Sequence, residues 1–176
     1  MLERAITKKE AVSLVVMLEA GLISHEHYFC WADERIRLED APDFWLLELA
    51  ATKDPKTAIS LLNSYAYSEP FEEFASEECN DEFVAAEWIR YKKSDISWAT
   101  FLIECGDYTD VNCAREDCEY FFYKLNDLES SQFSKSLEEK QSAIIFKRFS
   151  DVIQRVEHKY IEFLPYLRTY RETYMA

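Results

Sequence analysis

The sequence predicts an all-α fold, a single compact domain of eight or nine helices over residues 1–176. Two glycines and four prolines are far fewer than the roughly dozen and nine that average usage would give. Neither Asn-Gly nor Asp-Gly occurs, although β-hairpins favour them at their turns. Apolar residues instead recur at helical spacing between capping residues. A chain of 176 residues that is 48% hydrophobic is long enough to bury a core.

The first helix is set by Thr7-Lys8-Lys9-Glu10, a capping box in which hydroxyl and carboxylate satisfy orphan amides. Val12, Val15, Val16 and Glu19 follow, Leu14 and Leu18 widen the apolar face, and Gly21 gives a left-handed stop. Ser24 caps a second helix carrying Tyr28, Trp31, Arg35 and Ile36. Pro42 fits the first turn of a third, with Phe44, Trp45, Leu46, Leu47 and Leu49 densely packed behind it. Asp54-Pro55 is an N-cap and first-turn pair for a fourth, from Lys56 to about Tyr67.

Beyond Ser68 the pattern weakens. Asp81 is expected to cap a helix bearing Phe83, Val84, Trp88 and Ile89. Ser94 or Asp95 starts the next, which runs from Ile96 through Trp98, Phe101, Leu102 and Cys105 until Gly106 stops it. Asp110 caps another reaching about Leu128. Ser136-Leu137-Glu138-Glu139 is a second capping box, opening a long helix with Ile144, Ile145, Phe149, Val152, Val156 and Tyr160. Pro165 should kink or end it, leaving Tyr166 to Tyr174 as a short tail. No repeat of fixed period is visible, although paired short helices would permit solenoid-like stacking. Ser130 to Ser134 is the best linker and too short to separate domains.

Several function classes are excluded by composition. With only Gly21 and Gly106, neither the P-loop nor the dinucleotide fingerprint can be written. The longest apolar stretch, Ala11 to Leu18, is far short of the ~20 residues that span a bilayer, so no membrane partner is expected. The chain opens on the charged Met1-Leu2-Glu3-Arg4 rather than an apolar signal core. Cys30, Cys79, Cys105, Cys113 and Cys118 are odd in number and form no C-x-x-C pair, which suggests free thiols, a reducing compartment and a cytoplasmic location.

Charge is the strongest functional signal. Lys and Arg total 20 against 34 Asp and Glu, a formal −14. Residues 1–68 carry −4, 69–103 carry −6, 104–129 carry −6, and 130–176 carry +2. The densest run is Glu69, Glu72, Glu73, Glu77, Glu78, Asp81 and Glu82, with Phe71 and Phe74 threaded through it. Such repulsion costs stability, and solvation, bound cations or a basic protein partner could each offset it. The field also argues against nucleic acid, whose binding depends on neutralising phosphates with Lys and Arg.

No catalytic constellation, metal site or cofactor site stands out. His25-Glu26-His27 places its imidazoles about 200° apart on a helix, so the pair cannot share one ion. It reads instead as an exposed first turn. Cys113 and Cys118 fall on different faces, and most of the cysteines read as small buried apolar residues. His158 has no Ser or Cys near it in sequence. Carboxylate pairs are too numerous to be informative, and the acidic stretch lacks the glycine and spacing of an EF-hand loop.

Gly21-Leu22-Ile23-Ser24, Trp31-Ala32-Asp33, Pro42-Asp43-Phe44-Trp45-Leu46-Leu47-Glu48-Leu49 and Asp54-Pro55, in that order, resemble small cytoplasmic α-helical immunity proteins. These accompany bacterial polymorphic toxins, including contact-dependent growth-inhibition systems. The resemblance covers about the first 65 residues. It implies a non-enzymatic, stoichiometric inhibitor that covers the active site of a cognate toxin domain, often a nuclease.

Charge points the same way, because an acidic face can occupy a basic, phosphate-holding cleft and be steered to it. The expected contact set joins the acidic run to Asp107, Asp110, Glu116 and Asp117, with Phe71, Phe74, Tyr108 and Tyr120 as anchors. Two alternatives stay open. One is a regulatory or scaffold domain binding another basic protein. The other is a helical hydrolase with a carboxylate-bound metal, needing acids four apart facing inward.

Overall fold

The computed structural model describes residues 6–110 and 115–175. Among these the chain is all-helical, with eight helices and no strand. By internal contacts it divides into two compact units, one holding residues to Glu73 together with those from His158 onward, the other Phe74–Glu157.

The first unit is built on α1 (Lys8–Glu19), α2 (His25–Leu38), α3 (Phe44–Ala51) and α4 (Pro55–Ala66). Thr7 and Glu10 form the predicted capping box. The helix then buries every residue from Ala11 to Leu18, so it is covered on all sides, as an apolar run of that kind requires. Gly21 has φ 68°, and the Leu22 amide reaches back to the Met17 carbonyl at 2.9 Å. This is a Schellman stop. Asp54 caps α4 through the Thr57 amide, with Pro55 as its first residue.

Two expectations fail at α2 and α3. The first turn of α2 is not exposed: His27 is buried, and its Nδ1 accepts from the Ser24 amide at 3.1 Å in the role a capping-box Glu would take. The His25 ring packs edge-on against Tyr28 and Tyr170, and burial holds its pKa below the usual histidine value. In α3 the cap is Asp43, so Pro42 lies outside the helix. Leu46 and Leu49 are buried, but Phe44 is 73% and Leu47 41% exposed. The dense packing expected for this segment is one-sided.

The second unit contains α5 (Ser76–Lys92), α6 (Trp98–Thr109), α7 (Cys118–Ser130) and the first part of α8 (Lys135–Tyr174). Its core is aromatic. Trp98 stacks on Phe101 with centroids 4.6 Å apart, and Trp88 meets both edge-on. The Trp98 indole donates to Gln141 Oε1 at 2.9 Å, and Gln141 Nε2 donates to the Lys124 carbonyl at 2.9 Å. That relay satisfies polar groups whose burial would otherwise be costly.

Several boundaries here differ from expectation. Asp81 does not cap α5, which begins five residues earlier with Ala75 at its N-cap. Asp110 is the C-cap of α6, while Asp117 caps α7 through the Tyr120 amide. Gly106 lies inside α6 rather than ending it. A Cβ there would sit 2.7 Å from the Phe122 ring, so glycine lets α7 approach closely. Ser136 falls within the first turn of α8 instead of capping it, and that helix continues through Pro165.

Candidate functional site

The acidic run is divided between the two units. Glu69, Phe71, Glu72 and Glu73 belong to the first, and Phe74 onward to the second. In the first unit all four residues are exposed, Phe71 to 75%. Lys8, itself buried, donates through Nζ to the carbonyls of Ser68 and Pro70. One lysine therefore fixes the entry to the acidic segment by its backbone, leaving the side chains outward.

In the second unit the chain's own arginines have claimed much of the charge. Asp81 is buried, accepting the Arg115 amide at 3.1 Å and lying 3.0 Å from its Nε. Burial pushes the Asp81 carboxyl up from its ordinary pKa, against the pull of Arg115. Arg155 lies 3.7 Å from Glu78 and 3.9 Å from the buried Glu82. Arg148 is paired with Glu116. Glu78, Asp81, Glu82 and Glu116 are thus each paired with an arginine of the same chain, and Asp81 and Glu82 are buried where the sequence reading expected open acids. Glu78 and Glu82 are also a four-apart carboxylate pair of the kind a metal hydrolase would need, and a guanidinium sits against both.

Three of the four expected aromatic anchors are half-buried. Tyr108 stacks face to face on Phe83 with centroids 3.6 Å apart. The Tyr120 ring lies under Lys124 at 4.1 Å and near Arg148 at 5.7 Å. Phe74 is half-buried. Glu77, Asp107, Asp110 and Asp117 stay exposed. Two of them serve local roles, Asp110 accepting from Cys118 Sγ at 3.2 Å and Asp117 capping α7.

Sequence reasoning missed a convergence in the first unit. Tyr65 stacks on Trp45 with centroids 4.5 Å apart and donates to the Ile6 carbonyl at 2.6 Å. Its pKa is raised by burial first, then by the charges of Asp43, Glu72, Glu10 and Glu39. Carboxylates from three separate stretches of chain therefore share one field around this tyrosine. No local run announces them, because Glu10 and Glu72 lie 62 residues apart in sequence.

The second missed feature is internal. Glu87 is fully buried, and Arg90 Nη1 lies 2.8 and 3.1 Å from its two oxygens and 3.1 Å from Glu104. Burial and a hydrogen bond with Glu104 push the Glu87 carboxyl up to about 8, Arg90 opposing them. Of the cysteines, Cys105 is buried, Cys30, Cys79 and Cys118 are half-buried, and none of these four is joined in a disulfide. Cys113 lies outside the described residues. His158 lies 3.8 Å from Glu162 on an exposed face of α8.

Among the described residues no group of three or more His, Cys, Asp or Glu is placed to hold a metal ion. None of the described helices is long and apolar enough to cross a membrane. No family model matches the chain, and neither a curated protein nor a solved structure matches it.

Proposed function

We propose that this chain is a non-enzymatic binding protein that neutralises a basic protein partner, in the manner of the immunity proteins its first 65 residues resemble. The partner in this reading is a cognate toxin domain, a nuclease being the type whose phosphate-holding cleft an acidic surface would fill. The observation that carries the reading is the segment Glu69, Phe71, Glu72 and Glu73. Its acids are exposed, Phe71 is 75% exposed, and Lys8 anchors the backbone leading into it. An aromatic anchor ringed by acids combines burial on binding with long-range attraction. A formal −14 extends that attraction over the whole molecule.

The test is co-purification of the chain with the product of the gene beside its own, followed by association kinetics. Reversing Glu69, Glu72 and Glu73 to Lys should slow association steeply at low salt and leave the fold intact. Phe71→Ala should mainly speed dissociation. An on-rate indifferent to ionic strength, or unchanged affinity in both variants, rejects the reading.

A further inference from the structure

The sequence of α3, FWLLELAA, has one polar residue, Glu48. A helix apolar on all sides is normally covered on all sides, yet this one is covered on one. Leu46 and Leu49 face the core and Trp45 stacks on Tyr65. The opposite side carries Phe44, 73% exposed, and Leu47, 41% exposed, with exposed Ala51 one turn further. The i, i+3, i+7 spacing sets these three in a row along the helix. Leu38, at the end of the neighbouring α2, is exposed as well.

The stretch of chain that carries this row has charges of a single sign, with Arg37 and Lys53 just beyond its ends. Between Leu38 and Thr52 the chain holds Glu39, Asp40, Asp43 and Glu48 and no Lys or Arg. None of these acids forms an ion pair with a described Lys or Arg. Asp43 and Glu39 also belong to the field around Tyr65. An apolar ridge bordered by acids complements an apolar stripe bordered by cations, the helix-in-groove mode of recognition. A second copy would bring the same acids face to face, and an anionic lipid surface would be repelled.

We propose that the outward row Phe44, Leu47 and Ala51 is a docking surface for an amphipathic helical segment of a partner protein whose apolar stripe is flanked by Lys or Arg. It rests on the proposed function only for the sign of the partner's charge.

The probe is a dye-labelled synthetic helix of Leu and Lys with one apolar stripe, titrated into the full chain by fluorescence anisotropy. A peptide of the same composition with the stripe scrambled is the control. The striped peptide should saturate at one per chain and outcompete the scrambled one. Phe44→Asp with Leu47→Asp should weaken it at least about tenfold. Those substitutions make the surface more negative, so a loss must come from the apolar row and not from charge. Phe44→Ala with Leu47→Ala, checked by circular dichroism, serves if the Asp pair disturbs the fold.

Equal binding of the two peptides, or of wild type and both variants, overturns the proposal. So does concentration-dependent self-association abolished by the same substitutions, which would make a second copy the occupant. A positive titration with no co-purifying toxin keeps the surface and removes the toxin reading. Co-purification that survives both α3 variants, with no peptide binding, does the reverse.

Discussion

Replacing Glu87 by glutamine should change how the stability of this protein depends on pH. Glu87 is fully buried between α5 and α6, and it shares one guanidinium, Arg90, with Glu104. With both carboxyls ionised the trio would carry net negative charge in a low-dielectric site. Burial of Glu87 disfavours its charged form first, the hydrogen bond with Glu104 adds to this, and the carboxyl is raised from 4.5 to about 8 against the pull of Arg90. In the unfolded chain the same group ionises near its ordinary value. Between those two pH values the folded state therefore binds the extra proton. The stabilisation is fully present below about pH 4.5 and is lost as pH rises through about 8.

At about 1.4 kcal/mol per pKa unit, the interval is worth on the order of 4–5 kcal/mol, a large share of the ~5–15 kcal/mol typical of a domain. Glutamine is neutral throughout and still offers a hydrogen bond. Urea midpoints measured from pH 5 to 9 should fall in wild type relative to Glu87→Gln, and the variant should be the more stable protein at pH 9. His25, lowered by burial, and Asp81, raised by burial, titrate in both proteins. The difference between the two curves therefore isolates Glu87. Parallel curves across that range would refute the shared-proton argument.

Three further outcomes follow from the packing. Gln141→Leu strands the Trp98 indole and the Lys124 carbonyl and should cost about 1–3 kcal/mol in urea unfolding; a change near zero would mean water replaces the relay. Arg115→Ala leaves Asp81 buried without its cation and should cost about 2–4 kcal/mol near neutral pH. The penalty should shrink in acid, where Asp81 is protonated, and a pH-independent loss would point to packing alone. Ser94→Gly should stabilise by up to about 1 kcal/mol, because Ser94 holds φ 64° at a helix stop where glycine is unstrained; a destabilised variant would contradict this.

How much of this was legible in sequence depends on where the deciding partner lies. Thr7 with Glu10, and Asp54 with Pro55 and Thr57, act within one turn, so their caps could be read directly. Gly21 could be read as a stop because its αL tolerance is intrinsic. The same Schellman geometry ends α5 at Ser94 and α7 at Gln132, whose φ values are 64° and 56°. There no glycine marks the stop, and it was not visible. Asp81 looks like a cap to any local rule, but Arg115, 34 residues later, takes it inside. Pro165 was expected to kink or end a helix that in fact runs on through it to Tyr174.

The candidate site divides in the same way. Glu69, Phe71, Glu72 and Glu73 were expected to be exposed from the polarity of the run, and they are. The neutralisation of Glu78, Asp81, Glu82 and Glu116 was not expected, since Arg115, Arg148 and Arg155 lie far along the chain from their partners.

By itself the sequence determined the helical class, the caps at Thr7 and Asp54 and the excess of negative charge, because each depends on residue chemistry within a few positions or on simple counts. Only the tertiary structure decided which charges stay exposed, why Gly106 sits inside a helix, and which side of α3 remains bare. Those outcomes depend on what distant segments bring into contact, and a carboxylate or leucine reads identically in sequence whether its neighbour is water or an arginine.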